Sequence, residues 1–362
     1  MFPYYLLFGA FALGALAERG QATYSRAAIL FFFAGVFMTI MIGLRYHVGV
    51  DWANYLTIWG YAGQTDARGL INAYPGDPVF YAIVWFLKNY GFGYWVLNLM
   101  CAVFFTWGLF AFANRQPNRW LAVAVAVPYL VIVIAMSGLR QATAIGFVFL
   151  ALVAFADRSP VRFLFYIACG AAFHASAVLV VPFAGMSFTR NRFQSVLLLL
   201  IVALAGYFLL RGSFAEYTND YIVKSGRTSE SSGTVYRIAM NFVPALIFFR
   251  YGKYIPLDPR DRSLWRNFAL LAIASVGIYM VIPSSTALDR VLLYLYPLQM
   301  FVLSRVPTLF AGQSRAIYIL ITIMILLYLA ALLAIFMTFG VNSAAYIPYR
   351  FYPLEGDSLD VY

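Results

Sequence analysis

The chain has 362 residues, of which 63% are hydrophobic, 19% aromatic and only 11% charged. Soluble domains carry about 25% charged residues, so the composition excludes a soluble enzyme, a disordered scaffold and a nucleic-acid-binding module. The net charge of +11 belongs to the loops that fix orientation in a membrane.

Apolar runs recur from end to end, and the mean hydropathy is +0.80. Together they predict an all-α polytopic integral membrane protein. Strand-type alternation is missing, which removes an outer-membrane barrel. In chain order the runs are 3–17, 26–43, 77–88, 94–113, 120–136, 138–156, 162–184, 194–210, 235–250, 265–283, 288–304 and 315–339. The first lacks a basic leader and reads as a span, not a cleaved signal. The expected architecture is about ten full transmembrane helices plus two half-membrane segments, 77–88 and 162–184, in one domain over residues 1–362.

Orientation follows the basic loops. Arg250, Lys253, Arg260, Arg262 and Arg266 mark 250–266 as cytoplasmic, and Arg305 with Arg315 mark the same side. Counting from these puts Arg190 and Arg192 inside, and the loops 44–76 and 211–234 outside. Both termini and the acidic tail 340–362 are then outside. Asp157, Arg158 and Arg162 also look cytoplasmic. That parity requires 162–184 to be a re-entrant hairpin with its tip near His174; otherwise the short runs span and one basic loop breaks the rule. The polar residues on the outer side define an outward-facing site.

Arginine outnumbers lysine 22 to 3. The planar guanidinium fork suits phosphate, although a GC-rich genome produces the same bias. Cys101 and Cys169 lie in apolar runs and read as small hydrophobes.

Four stretches could carry chemistry. The first is Leu44-Arg45-Tyr46-His47-Val48-Gly49-Val50-Asp51-Trp52-Ala53-Asn54-Tyr55, at the end of the second run. There Arg45 is a candidate partner for phosphate or Asp51, and Asp51 a base or sugar-hydroxyl acceptor. Tyr55 shares its helical face with Asp51, and the aromatic residues also suit an interfacial belt. The second is Met136-Ser137-Gly138-Leu139-Arg140-Gln141, where two apolar runs meet. Without an acid near it in sequence, Arg140 either snorkels to the interface or binds an anion. The third is Phe173-His174-Ala175-Ser176, where a neutral imidazole could move a proton or simply bond a carbonyl. The fourth is Asp289-Arg290 with Tyr294, in which Asp289 could neutralise Arg290. Arg211 and Arg237 flank the outer loop as further candidate substrate contacts. Walker-type, zinc-type and nucleophile-elbow motifs are missing, as are mid-span carboxylates. A phosphate group held by arginine, with neither metal nor cofactor, is the expected chemistry.

These pieces in this order resemble the EpsG family, relatives of the Wzy polymerases. The resemblance rests on Arg45, Val48-Gly49-Val50-Asp51-Trp52-Ala53-Asn54-Tyr55, Leu139-Arg140-Gln141, Phe173-His174-Ala175-Ser176-Ala177 and Arg290. It implies a GT-C-like polymerase bundle in the bacterial inner membrane, with its site facing the periplasm. It also implies a substrate, oligosaccharide repeats on polyprenyl (undecaprenyl) diphosphate, joined into exopolysaccharide or O-antigen. On that reading Arg140 and Arg290, with Arg45, hold the diphosphate, while His174 or Asp51 takes the acceptor proton. Gln141, Tyr55, Arg211, Arg237 and Tyr294 contact substrate. Membrane lipid, a flippase and chain-length regulators are the implied partners, and nucleic acid is not. A lipid-linked oligosaccharide flippase, or a glycan ligase or acyltransferase, would carry similar features.

Overall fold

A computed structural model describes residues 1–18, 24–74, 76–188, 233–281, 285–312 and 314–355. The expected span 194–210, Arg190, Arg192, Arg211 and nearly all of the 211–234 loop lie outside the described residues, as does the tail beyond Glu355.

The described residues are helical almost throughout. The chain opens with α1 (Phe2–Ala17) and α2 (Tyr24–Gly43), then a two-residue strand β1 (Arg45–Tyr46). Three short helices follow: α3 (Trp52–Ala62), α4 (Ala67–Ala73) and α5 (Pro78–Asn89). Asp66 starts α4 by accepting the Gly69 N–H at 2.7 Å, as side-chain caps do. Next come α6 (Tyr94–Ala113) and α7 (Arg119–Ala126), which runs on as a π-helix over Val127–Ala135. Helices α8 (Leu139–Ala156) and α9 (Pro160–Phe173) lead to a 3₁₀ segment Ala175–Val180 and α10 (Val181–Phe188). The last part holds α11 (Thr234–Tyr251), α12 (Pro259–Val281), α13 (Ser285–Tyr294), α14 (Tyr296–Leu303), α15 (Val306–Ala311) and α16 (Arg315–Phe339). Strand β2 (Arg350–Phe351) pairs antiparallel with β1, Arg45 opposite Phe351.

Among the described residues, four helices are long and apolar enough to cross a membrane: Tyr94–Ala113, Leu139–Ala156, Pro259–Met280 and Arg315–Phe339. Four shorter apolar helices, Phe2–Ala17, Ala27–Gly43, Arg119–Ala135 and Pro160–Phe173, stand beside them. A polytopic membrane bundle is the architecture. The expected span 288–304 is instead broken at Leu295 into α13 and α14. Pro297, lacking an N–H, fits the first turn of the second helix. Run 77–88 forms α5, whose 12 residues reach about 18 Å, too short for a hydrocarbon core of about 30 Å. Run 162–184 is interrupted at His174, whose extended backbone ends α9. Beyond it the chain folds back, so that Gly170 faces Ala177.

Helix α8 is the central element, its flanks covered by α6 and α9. Without a hydrophobic drive between helices in lipid, small residues set how closely they approach. A Cβ on Gly108 of α6 would lie 1.9 Å from the Gly146 carbonyl oxygen of α8, and one on Gly146 would lie 2.6 Å from that of Phe104. The two backbones therefore touch, and no side chain fits between them. A second apolar cluster gathers α3, α4, α5 and the start of α6 against α8, with Tyr55, Trp59, Phe80, Tyr81 and Leu139 in its core.

The two ends of the bundle differ in kind. At one end Arg119 pairs with Glu18 at 3.0 Å, Arg115 with Asp157 at 2.7 Å, Arg158 with Asp258, and Arg305 donates to Gln116. The other end holds the 44–52 and 136–140 turns. The C-terminal segment folds over it, where Gly49 N–H donates to Ala345 O and Tyr352 N–H to Leu44 O. The 18-residue α8 joins the two ends, a separation of about 27 Å. We expect Gly146→Val to overpack the α6–α8 crossing and cost about 1–3 kcal/mol. Its thermal midpoint in detergent should fall clearly below wild type, and an unchanged midpoint would show that the crossing has slack.

Candidate functional site

The site is built around a break in the helix ladder. The π-helix stops at Ala135, the chain turns through Met136, Ser137 and Gly138, and α8 begins at Leu139. Each of three side chains from elsewhere meets one residue of this turn. Arg45 Nε donates to Met136 O at 2.8 Å. The Ser137 hydroxyl donates to Asp51 Oδ2 at 3.0 Å and accepts the Asp51 N–H at 3.2 Å. Arg140 Nη1 donates to Asp77 Oδ2 at 2.8 Å. Gly49 makes the approach possible. Its φ is +104°, and a Cβ there would lie 2.1 Å from Met136 O.

Arg45 is only 1% exposed. Besides Met136 O, its guanidinium donates to Val48 O at 3.2 Å and to Ile42 O at 2.6 Å. Ile42 lies in the last turn of α2, where carbonyls lose their helical partners and a cation is favoured. Arg45 therefore does not pair with Asp51, as the sequence had suggested. Its bonds from Nε and Nη1 all go to backbone carbonyls, and they clamp the 44–50 turn to the π-helix end.

Arg140 also departs from expectation, because an acid does reach it. Asp77, 63 residues earlier, is 4% exposed. It sits in the connection before α5, outside the spanning helices. Its Oδ2 takes both Arg140 Nη1 and the Nδ1 side of His174, the latter at 3.2 Å. Its Oδ1 accepts the Ala175 N–H at 3.2 Å. Burial pushes this carboxyl up, but the His174 bond, the Arg140 charge and the Ala175 N–H outweigh burial and hold it below the usual range. A carboxyl so depressed is ionised above its ordinary value of about 3.9. Its pairing is lost only as pH falls through the still lower folded value.

Aromatic and polar residues surround this pair. Tyr81 O–H accepts from Arg140 Nη1 at 2.7 Å, and the guanidinium lies over the rings of Phe80 and Tyr81. Tyr55 sits against the same guanidinium. Arg140 Nε and Gln141 Nε2 are buried donors without a hydrogen-bond acceptor. Arg290 on α13 acts electrostatically on both His174 and Tyr294. Tyr294 is buried, and its hydroxyl meets Ser176 Oγ at 3.0 Å, tying α13 to the segment just after His174.

Asp289, expected beside Arg290, has an ion pair on another helix. It pairs with Arg237, which also donates to the Tyr129 hydroxyl. Arg237 is thus engaged in joining α11, α13 and the π-helix. The structure brings together Arg140, His174, Arg290, Tyr55 and Tyr294, with Asp51 on the same turn through Ser137. Asp77 was missed in the sequence. Its signal was an acid directly before a proline that opens a 12-residue apolar helix, the pattern of a helix start. Among the described residues no group of three or more His, Cys, Asp or Glu is gathered as a metal would require.

The structure is a helical membrane bundle that gathers a histidine–carboxylate pair and arginines at one end. The sequence model of the EpsG family matches residues 28–351, and the chain belongs to that family of Wzy-like polysaccharide polymerases. No curated protein and no solved structure matches the chain significantly.

Arg45 and Arg140 should behave oppositely. Arg45→Met strips three carbonyls of their donor, at about 1–3 kcal/mol for each acceptor left unsatisfied. It should lower the yield of folded, monodisperse protein. Arg140→Lys retains the Asp77 ion pair and should purify like wild type. Size-exclusion profiles of both variants provide the check, and equal profiles would return Arg45 to the list of substrate contacts.

Proposed function

We propose that this chain is a glycosyltransferase that elongates a polysaccharide from oligosaccharide repeats carried on polyprenyl diphosphate. The observation behind it is the Asp77 carboxylate, which holds an imidazole and a guanidinium together at one end of the bundle. With Asp77 accepting from Nδ1–H, His174 presents the lone pair of Nε2. That nitrogen takes the proton of the acceptor sugar hydroxyl as the oxygen attacks the donor's anomeric carbon. The bond between that carbon and the diphosphate breaks, a glycosidic bond forms, and the diphosphate leaves carrying the negative charge.

Arg140 and Arg290 meet that charge. Fixed cations aimed at developing charge are usually the largest single contribution to catalysis. The Arg140 side chain, 29% exposed beside Asp77, keeps part of its guanidinium open to phosphate oxygens. Asp51, fixed by Ser137, and Tyr55 are placed for acceptor hydroxyls, and Tyr294 steadies the segment carrying His174. Asp77 is a positioning residue, and Arg45 belongs to the frame.

The basic end of the bundle belongs in the cytoplasm by the positive-inside rule. The site end, about 27 Å away along α8, then faces the periplasmic side of the bacterial inner membrane. Lipid-linked repeats reach that face through a flippase, which with a chain-length regulator would be the natural partner.

Purified protein incubated with a lipid-linked repeat should form polymer. Arg140→Lys keeps charge but loses the fork and should cut the rate at least about tenfold, about 1.4 kcal/mol. Wild-type rates in this variant would remove Arg140 from the diphosphate. His174→Ala should abolish chain growth with repeat binding largely kept, whereas Asp51→Asn should weaken growth only in part. The reverse pattern would make Asp51 the base. Cysteine labels at positions 158 and 192 should both report the cytoplasm, and labels on opposite sides would sink the re-entrant placement of His174.

A further inference from the structure

Beside the charged centre lies a cavity of a different character. It measures about 250 Å³ and is walled by Trp52, Trp59, Tyr94 and Trp95, with His47 and Lys88 among the lining residues. Among the described residues, neither a carboxylate nor a guanidinium lines it. An interfacial belt would turn such rings toward lipid headgroups. Here Trp52 and Trp59 are 6% and 3% exposed. They pack edge-on around Tyr94, with ring centroids 5.1 and 5.6 Å away. Tyr352, from the C-terminal segment, closes another side against Trp95 at 5.9 Å. Lys88 Nζ sits 5.7 Å from the Trp59 ring.

We propose that this pocket binds a pyranose ring of the glycan, as a sugar subsite next to the Arg140–Asp77–His174 centre. Three observations carry it. Electron-rich ring faces attract the weakly positive axial C–H face of a sugar, and seven Trp, Tyr and Phe residues line one small cavity. The volume falls just below the usual small-molecule range of about 300–1,000 Å³, which suits one ring with its neighbours extending outward. His47 and Lys88 line the cavity and offer polar groups that sugar hydroxyls bond and a hydrocarbon tail does not.

The position fits as well. Trp52 follows Asp51 directly on α3, and Tyr55, which sits against Arg140, acts electrostatically on Tyr94. A chain seated here is therefore held one helix away from the reacting centre. The role as a glycan subsite rests on the polymerase reading; the capacity to bind a sugar does not.

The test uses the full-length protein in detergent and, as probe, the lipid-free repeat oligosaccharide released by mild acid from the cell's own polysaccharide. Binding is read by saturation-transfer NMR, and polymer length by gel. Trp95→Ala should weaken probe binding at least about tenfold and shorten the polymer. Trp95→Phe keeps a ring face and should stay within about threefold of wild type, which guards against simple misfolding. Arg140→Lys should bind the probe like wild type.

If Trp95→Ala binds the probe normally and makes full-length polymer, the subsite is wrong while the polymerase reading stands. If polymer never forms but probe binding depends on Trp95, the subsite stands and the polymerase reading fails. Displacement of the probe by phosphatidylglycerol micelles but not by excess oligosaccharide would assign the pocket to lipid and overturn the proposal.

Discussion

A helix that stops and restarts in a membrane must find partners for the backbone groups it leaves behind. Here that constraint falls on residues 136–140, and most of the candidate site follows from how it is met. Arg45 supplies a donor for the Met136 carbonyl. Ser137 bonds Asp51, and the first turn of α8 projects Arg140 to Asp77. The preceding π-helix belongs to the same event, since extra residues per turn commonly accompany functional breaks. Moving this turn would displace the clamp, the carboxylate of α3 and the central arginine together.

Two arginines meet at this turn, Arg45 buried and Arg140 with a side chain 29% exposed, and their surroundings differ. Burying a charge is costly unless it is paired and its hydrogen bonds are satisfied. Arg45 meets that condition entirely with backbone oxygens, so its contribution is to shape. Arg140 meets it only in part. One nitrogen serves both Asp77 and Tyr81, while Nε is left without an acceptor. A partly satisfied buried donor costs stability, and a bound anion would repay it. Arg140, unlike Arg45, keeps part of its side chain open, a distinction that residue type and spacing alone do not make.

The same contrast explains what was legible in the sequence. Composition and apolar runs gave the helical membrane class, because hydropathy acts residue by residue. His174 could be placed at a break from loop charges alone, and α9 does end there. Partner identity was harder. Asp77 lies 63 positions from Arg140 and 97 from His174, and no local pattern announces contacts of that range. Asp289 looked like the partner of its neighbour Arg290, yet adjacent residues on a helix point in different directions, and it reaches Arg237 instead. The fold-back of 342–352 onto the site end was invisible for a similar reason. Its bonds, such as Tyr346 O–H to Val133 O at 2.9 Å, join positions that share nothing in sequence.

Depth in the bilayer links the charged centre to its proposed substrate. A diphosphate and a sugar chain cannot enter hydrocarbon cheaply, whereas a polyprenyl tail cannot leave it. A site at the end of α8, about 27 Å from the basic loops, lies near one boundary of a core about 30 Å thick. The tail can then remain among helices while the headgroup meets Arg140 and the acceptor approaches from water. The half-length helix α5 and the return after His174 are what such a position demands. Both bring polar residues to the boundary from within the bundle, Asp77 at the start of one and His174 at the turn of the other. Neither a full-length span nor a surface loop would place a carboxylate and an imidazole face to face at that depth.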